Sequence, residues 1–402
     1  MLSGGGARGA YEAGVLRYLL EELPLRLGHA PRIDIVTGSS VGAIHACFLA
    51  ANAHRPHRAG DRLTRIWRRL SLGSLATLRT GELLRSPLRA LGWLRPKLLR
   101  GRERPLPERI HGLFETGPLE ALVRRSIDWR RIGVNLAEGH LEAVSVAATE
   151  IATGRVVAFL EAHDPAAAWS GDPSLVSRKV ELRVEHALAS AAIPVIFPAI
   201  KIEDTYFADG GIRLNTPLAP ALRLGADRVL VVPLRKGAGD DSELERSNAR
   251  IASYANPLFL YGKMLNALLL DHVETDLARM RVINGILERG ERAFGPDFVE
   301  RINAAARYER DHPFRKVEDV VVRPSQDLGV LAGELVSDPQ RSASVPGWVR
   351  VLQRALGLAG EALEADLLSY LLFDRVYTEP LVALGFEDAR RQEEELGRFF
   401  TD

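Results

Sequence analysis

An α/β fold is predicted for this chain by three features of its sequence. The segment "RIDIVTGSSVGAIHACFLA" starts as a short strand over 32–37, turns sharply, and continues as a helix of small residues over 41–53. The segment "ADRVLVVPL" (226–234) is apolar without alternation, as buried parallel strands often are. Before both, residues 9–27 carry leucines at helical spacing and end near Pro24 and Gly28, which predicts a helix.

The remaining elements follow in chain order. Residues 58–112 are predicted to be helical. This segment is rich in arginine and is broken by Gly and Pro. Residues 141–161 predict two strands joined near Gly154. Residues 184–196 predict a helix that ends at Pro194, and "AIKIEDTYFADGG" (199–211) predicts a hairpin followed by a loop.

A polar stretch, "RKGAGDDSE" (235–243), is the best candidate for a linker. We therefore expect a domain over 1–235, with a basic helical insertion at about 58–112, and a mostly helical region over 240–402 packed on it. One strand-like run, "VEDVVVRPS" (317–325), is expected to join the edge of the sheet. Four residues of the last helices are expected in the core: Leu367, Leu371, Leu372 and Phe373.

Composition narrows the class of protein. The net charge of +1 over 402 residues predicts neither nucleic-acid binding nor an acidic tail. A single cysteine, Cys47, cannot form a disulfide framework or a cysteine-based metal site, and we expect it in the core. The sequence contains no run of about 18 apolar residues, so we expect no membrane-spanning helix. No signal peptide precedes the glycine cluster at the start, so we expect a cytoplasmic protein.

That glycine cluster, "LSGGGARGAYEAGVL" (2–16), fits the pattern Gly4-x-Gly6-x-x-Gly9 of a dinucleotide-binding loop. A dinucleotide fold also needs an acidic residue at the end of its second strand. Here the nearby acid is Asp34, at the start of the strand instead. A glycine run can equally present backbone N–H groups to an oxyanion, since no side chain stands in the way. We expect no nucleotide cofactor.

A second pattern, "GSSVG" (38–42), fits Gly-x-Ser-x-Gly at the place where a strand gives way to a helix. A serine on such a turn is exposed in a strained backbone conformation, and glycines on both sides let neighbouring backbones pass close to it. Ser40 is therefore the candidate nucleophile. It stands at the N-terminus of a helix, whose dipole favours developing negative charge.

A nucleophilic serine needs a base, and the histidines are poor candidates. His272 and His312 lie in helical, charged surroundings, and His45 lies one turn beyond Ser40, where we expect it to pack. Asp209 is the better candidate, because "FADGG" (207–211) places it on a loop with Gly210 and Gly211 behind it. Without the other two motifs, an ordinary Asp-Gly turn would be the simpler interpretation.

These three motifs, in this order, resemble the patatin-like phospholipase family. In that resemblance "GGGARG" is the oxyanion loop, "GSSVG" the nucleophile elbow and "DGG" the base loop. Three further segments look similar to the family: "GPLEALV" (117–123), "ALASAAIPVIFPAI" (187–200) and "NTPLAPALRLGADRVLVV" (215–232). The resemblance covers about residues 2–235.

The resemblance implies a three-layer α/β/α fold with a mostly parallel central sheet, here followed by a helical C-terminal extension. It implies hydrolysis of acyl esters of membrane lipids by a Ser-Asp dyad, without a metal or a cofactor. Ser40 would be the nucleophile, Asp209 the base, and Gly4, Gly5 and Gly6 the oxyanion donors, with Arg8 ordering their loop. The motifs would be supported by Gly9, Gly38, Gly42, Gly210 and Gly211.

Two questions stay open at the level of the sequence. Family members usually have a full apolar strand before the glycine run, whereas only Met1-Leu2-Ser3 stands here. A catalytically impaired, lipid-binding or regulatory protein with the same fold is therefore the alternative. Residues 79–109 hold nine Lys or Arg against three Glu, with Trp93 and several leucines. This composition favours peripheral contact with a membrane, and a solvated helical hairpin is the alternative.

Overall fold

The computed structural model describes residues 1–71, 77–78, 109–110, 112, 114–164, 167–169, 174–214, 217–237, 257–270, 272–305, 312–338 and 365–401. Apart from Arg109, the basic segment predicted at 79–109 lies outside the described residues. Residues 238–243 of the predicted linker lie outside them as well.

Helices and strands alternate through the first part of the chain. Helix α1 (Gly9–Arg17) continues through a π-helical turn (Tyr18–Glu22) into α2 (Leu23–Leu27), which ends at Gly28 in the left-handed conformation. There follow β1 (Ile35–Ser39), α3 (Val41–Ala51), α4 (Ala59–Arg69), β2 (Thr77–Leu78), β3 (Arg109–Ile110), β4 (Phe114–Glu115), α5 (Gly117–Ser126), α6 (Trp129–Ala137), β5 (Ala143–Glu150), β6 (Val156–Ala162), β7 (Leu175–Lys179), α7 (Val184–Ser190), β8 (Ala199–Ile202), β9 (Thr205–Asp209), α8 (Leu218–Arg223) and β10 (Arg228–Val231).

The rest of the described chain is mostly helical. It contains α9 (Pro257–Leu270), α10 (His272–Phe294), α11 (Phe298–Ala305), β11 (Glu318–Val321), α12 (Leu328–Ser337), α13 (Asp366–Leu371), α14 (Arg375–Arg391) and α15 (Glu393–Thr401). The predicted strand at 317–325 is confirmed as β11, which pairs in parallel with β10.

A seven-stranded sheet forms the centre of the molecule. Its strands follow the order β3-β8-β9-β5-β6-β7, and β1 also pairs with β5. Leu2 extends the sheet, because it bridges in parallel to Gly38 of β1 and to Val232 just after β10. The short segment before the glycine run therefore stands between β1 and β10.

The α/β architecture is confirmed, but the sheet is mixed rather than mostly parallel. Strands β1 and β5 run parallel, as do β6 and β7, whereas β5 is antiparallel to both β6 and β9. The reason is the length of the connections. Residues 151–155 join β5 to β6, and residues 203–204 join β8 to β9. Such short loops allow only antiparallel pairing, since parallel pairing needs a long crossover.

Side chains of β5 alternate between two cores, one on each face of the sheet. Val144 and Val146 point into the large core shared with α1 and α3. Ala143 and Ala147 point to the opposite face, into a smaller core that includes Trp169. The sheet is thus the middle of three layers.

The C-terminal helices pack against the first part of the chain through very close approaches. Helix α14 crosses α1 at two glycines: a Cβ atom on Gly14 would overlap the carbonyl oxygen of Val382, and one on Gly385 would overlap that of Tyr11. Four residues predicted for the core are buried, namely Leu367, Leu371, Leu372 and Phe373. The domain boundary near residues 235–240 stays a prediction.

Candidate active site

Strand pairing explains why two residues distant in sequence meet at one point. Strand β1 runs along β5 until Ser39 stands opposite Ala147. Strand β9 arrives along the same edge of β5 from the other direction, and Asp209 stands opposite Ala148. Because the two strands end at consecutive residues of β5, Ser40 and Asp209 become neighbours although 169 positions separate them.

Ser40 has the strained backbone that the motif predicts, with φ 53° and ψ −126°. The motif also predicts an exposed serine, but Ser40 is buried, at 2% exposure, and α3 begins directly after it. Both flanking glycines are required by space. A Cβ atom on Gly38 would overlap the carbonyl oxygen of Gly42, and a Cβ on Gly42 would overlap that of Leu2. The turn therefore holds the serine in one orientation between β1 and α3.

Asp209 accepts a hydrogen bond from the hydroxyl of Ser40, with 2.6 Å between Oγ and Oδ2. Its other oxygen, Oδ1, accepts from the backbone N–H of Gly211 at 2.7 Å. Gly210 lets the loop pass close to β5, since a Cβ atom there would overlap the carbonyl oxygen of Ala147. Complete burial raises the pKa of Asp209 to about 7, against the lowering effect of the two hydrogen bonds.

Ser190, at the end of α7, is a supporting residue that sequence reasoning missed. Its hydroxyl accepts the backbone N–H of Ser40 at 2.8 Å and donates to the carbonyl oxygen of Ala147 at 2.5 Å. This places a side chain between the nucleophile turn and β5. The resemblance drew attention to the segment 187–200, but a lone serine in it carries no signal of this role.

The glycine run lies beside the nucleophile turn, because both of its ends touch that turn. Before the run, the carbonyl oxygen of Ser3 approaches Gly42; after it, Gly9 lies against Val41. The run itself opens a 3-10 turn, Gly6–Arg8. The first N–H groups of such a turn have no partner within it, so they can bind an acceptor.

Gly6 could not be replaced without rebuilding this turn. Its φ of 56° lies in the left-handed region that favours glycine, and a Cβ atom would overlap the carbonyl oxygen of Tyr370. Tyr370 belongs to α13, in the C-terminal region. The glycine run is thus enclosed between the nucleophile turn and a helix far along the chain.

Arg8 joins the same helix to the run. Its guanidinium is buried, donates from Nε to the hydroxyl of Ser369 at 2.7 Å, and pairs through Nη2 with Asp366 at 3.2 Å. It also lies over the ring of Tyr370, 4.5 Å from the ring centroid. Lys263 of α9 pairs with the other oxygen of Asp366 at 2.9 Å.

His45 takes part in a second buried network and is not placed as a base for Ser40. The indole N–H of Trp67 can only donate, and it donates to Nε2 of His45 at 3.0 Å. Nδ1 of the ring therefore carries the proton and donates to Glu12 at 2.8 Å. The other oxygen of Glu12 accepts the backbone N–H of Ser3 at 2.5 Å, and burial raises the pKa of this carboxyl.

The described residues contain neither a metal-binding cluster nor a membrane-spanning helix. No group of three or more His, Cys, Asp or Glu side chains there could hold a metal ion. No helix within the same residues combines the length and the apolar composition that crossing a membrane requires.

Comparisons with known proteins identify the family to which the chain belongs. A curated "cGAMP-activated phospholipase" from Pseudomonas aeruginosa is 28% identical over 218 residues, which are 54% of this chain and 53% of that protein. The chain thus spans about half the length of this relative. A solved structure of VipD from Legionella pneumophila aligns with 66% of this chain and 55% of its own, at 15% identity and a TM-score of 0.29. The family model "Patatin-like phospholipase" matches residues 1–222. This match spans more than half of the chain, and the protein belongs to the patatin-like phospholipase family.

Proposed function

We propose that the protein is a lipid acyl hydrolase, a serine esterase of the phospholipase A type that acts on membrane lipids through a Ser40–Asp209 dyad. The observation that carries the proposal is the 2.6 Å hydrogen bond between Ser40 Oγ and Asp209 Oδ2. Membership of the family supports lipid acyl hydrolysis in general, and the name of the bacterial relative supports a phospholipid as substrate.

In the acylation step, Ser40 Oγ forms a bond to the carbonyl carbon of the ester while Asp209 takes the hydroxyl proton. The carbonyl electron pair moves to oxygen, and the resulting oxyanion is bound by N–H groups of the run Gly4, Gly5 and Gly6, with the N-terminus of α3 adding a favourable dipole. When the tetrahedral intermediate collapses, the carbon–oxygen bond to the alcohol breaks. Asp209 then returns its proton to that alcohol, which leaves as the lysolipid.

Deacylation repeats the same steps with water. Asp209 removes a proton from a water molecule, whose oxygen attacks the acyl carbonyl on Ser40. The intermediate collapses with the carbon–Oγ bond breaking, and the proton returns to Ser40. A base with a pKa near 7 suits this cycle, because it can both accept and release a proton at neutral pH.

The pairing of the first residues favours an active enzyme over the impaired alternative. Leu2 donates its N–H to Thr37 at 2.9 Å and accepts from the N–H of Ser39 at 3.2 Å. On the other side, the carbonyl oxygen of Met1 accepts from Val232 at 3.1 Å. Met1 and Leu2 together therefore make backbone hydrogen bonds to strands on both sides, which supports a fixed position for the glycine run.

Two further parts of the proposal rest on the sequence. The acyl hydrolase domain is assigned to residues 1–235, with residues 240–402 as a helical region packed on it. A peripheral membrane contact is assigned to the basic segment 79–109, supported by its excess of Lys and Arg over Glu.

The neighbouring serine offers a matched control for the dyad. We expect Ser40→Ala to lower the hydrolysis of a p-nitrophenyl acyl ester by about a thousandfold or more, since it removes the nucleophile. Ser39→Ala removes an equally buried hydroxyl, one that has no hydrogen-bond partner among the described residues, and should lower the rate by less than about threefold. Thermal unfolding shows that both variants are folded. Undiminished hydrolysis by Ser40→Ala would rule out the assigned nucleophile.

A further inference from the structure

A cavity lies at the far end of α3, the helix that begins directly after Ser40. It has a volume of about 500 Å³ and is lined by Ala51 and Asn52, where α3 ends. The 11 residues of α3 place it about 16 Å from the nucleophile turn. Six basic side chains line this cavity: His54, Arg55, Arg58, Arg62, Arg65 and Arg131. We call it the arginine cavity.

Three of the arginines lie on one face of a single helix. Arg58, Arg62 and Arg65 follow each other at spacings of four and three along the start and first turns of α4, so they share one face of that helix. Arg62 is held by neutral partners: it donates to Asn52 Oδ1 at 3.1 Å and to the carbonyl oxygen of Ser126 at 3.3 Å. These bonds orient its guanidinium without neutralising it.

Nearby carboxylates neutralise only part of this charge. Asp61 pairs with Arg65 at 2.9 Å, and Glu138 pairs with Arg131 at 2.8 Å. The carboxylate that lines the cavity itself belongs to Asp128, which caps α6 by accepting the N–H of Arg131. Within the described part of the chain, Arg55 and Arg58 form no ion pair.

Two buried nitrogens in the cavity wall also lack a partner. They are Nδ1 of His54 and Nε of Arg131, and neither has a hydrogen-bond acceptor among the described residues. Burial lowers the pKa of His54, and the positive charges of Arg131 and Arg55 lower it further. A bound anion would supply an acceptor to the N–H of Arg131 Nε, and to His54 in the tautomer that carries its proton on Nδ1, and would relieve the repulsion between the cations.

We propose that the arginine cavity binds a phosphate group, carried either by a soluble phosphate ester or by a phospholipid headgroup. Arginine side chains bind phosphate through pairs of parallel hydrogen bonds, and Arg55 and Arg58 form no ion pair with a carboxylate of the described residues, although Asp128 also lines the cavity. The volume exceeds that of a single phosphate, so the rest of the ligand also has room within the cavity. The site is separate from the Ser40–Asp209 dyad and does not depend on its chemistry.

The test compares two double variants of the full chain with the wild type. Arg55→Gln/Arg58→Gln removes two charges of the cavity wall that form no ion pair within the described part of the chain. Arg68→Gln/Arg69→Gln removes two exposed charges at the end of α4, and neither of these side chains lines the cavity. Because all four side chains are exposed, we expect unchanged melting temperatures. The probes are pyrophosphate, followed by calorimetry, and vesicles of diether phosphatidylcholine with or without diether phosphatidic acid, followed by sedimentation. Diether lipids carry no acyl ester, so the protein cannot hydrolyse them.

We expect the cavity variant to bind a phosphate probe at least about tenfold more weakly than the wild type, and the control variant to bind it normally. Loss of pyrophosphate binding identifies a soluble ligand. Loss confined to the vesicles with phosphatidic acid identifies a headgroup. Equal binding by all three proteins, equal losses in both variants, or no binding of either probe by the wild type would overturn the proposal.

Discussion

The carboxyl of Asp209 is completely buried, and it is also the group proposed to accept the proton of Ser40. Burial raises the pKa of its carboxyl to about 7. A base accepts a proton only when it is deprotonated, so hydrolysis should fall as the pH drops below about 7, approaching tenfold for each further unit. The measurement is kcat/KM for a p-nitrophenyl ester from pH 5 to pH 9. A flat profile between pH 5 and pH 8 would contradict a base with this pKa.

The same shift predicts how stability depends on pH. The pKa of Asp209 is 3.8 in the reference state and about 7 when folded, so the folded chain binds this proton more tightly. The stability that the protonated group contributes is present below about pH 4 and is lost as the pH rises through about 7. Asp209→Asn keeps the shape without the charge, and should be more stable than wild type at pH 8, by up to about 4 kcal/mol.

Calorimetry at two pH values tests this second prediction. At pH 8 the melting temperature of Asp209→Asn should exceed that of the wild type, and at pH 4 the difference should be much smaller. A difference of equal size at both values would mean that the charge of Asp209 is not its source. The variant should be inactive at both, because an amide cannot act as the base.

Between elements, the contact of α13 with the glycine run makes the C-terminal region part of the candidate site. Ser369→Ala removes the hydroxyl that accepts from Arg8, and a hydrogen bond to a charged group contributes about 1.5–3 kcal/mol. We expect kcat to fall about tenfold with KM nearly unchanged, since the oxyanion donors act mainly in the transition state.

An exposed ion pair provides the control for this contact. Arg375→Ala breaks a surface pair with Glu379 on α14 and should cost less than about 1 kcal/mol, with no effect on kcat. If Ser369→Ala lowers the melting temperature but leaves kcat at the wild-type value, the contact is structural only, and α13 does not position the glycine run.

The crossing of α1 and α14 tests how closely these elements must pack. Gly385→Ala would place a methyl group on the carbonyl oxygen of Tyr11, so the helices must separate, and we expect a loss of about 3 kcal/mol or more. Gly397→Ala in α15 meets its nearest atom at 3.9 Å and should stabilise the chain slightly through helix propensity. Urea unfolding compares the two. Similar effects from both would contradict the close crossing.

The sequence predicted the site residues that stand in motifs and missed the residues that support them from elsewhere in the chain. Ser40 and Asp209 stand in short sequence motifs that contain glycines at fixed positions. The glycines are needed for steric reasons, so their spacing alone identifies the two residues. Ser190 and Ser369 stand in no pattern, because each acts through one hydroxyl on a residue far away in sequence. Arg8 and Ser369, for example, are 361 positions apart. Hydrophobic periodicity cannot indicate such pairs.

For the molecule as a whole, the class of fold was predictable, and the direction of its strands was not. Buried apolar runs indicate a sheet covered on both faces, which is why the α/β prediction is confirmed. They do not show which strand pairs with which, so the mixed sheet required the structure. The pairing of β11 with the first part of the chain was predicted. The contact of α13 with the glycine run was not, because it is made by tertiary packing alone.

Because β11 and α13 pack against the first part of the chain, we predict that the part that includes the family match, residues 1–222, is not stable by itself. A chain ending after residue 237 loses the partner of β10 and the buried side chains of Tyr370, Tyr377 and Leu381. The apolar surface left exposed should cause unfolding or aggregation, with loss of ester hydrolysis. Removal of Thr401 and Asp402 alone is the control. Circular dichroism and hydrolysis assays decide, and a truncated chain that is folded and fully active would contradict this view.

The most direct test of the central claim is labelling of the purified protein by a fluorophosphonate, with the modified residue located by mass spectrometry. Fluorophosphonates react with serines that a base has activated: the serine oxygen forms a bond to phosphorus, fluoride leaves, and a phosphonate ester remains on the serine. We predict a single adduct on Ser40 in the wild type, and labelling at least about a hundredfold slower in Asp209→Asn. A folded wild-type protein that forms no adduct, or one on another serine that Asp209→Asn does not slow, would contradict the Ser40–Asp209 dyad.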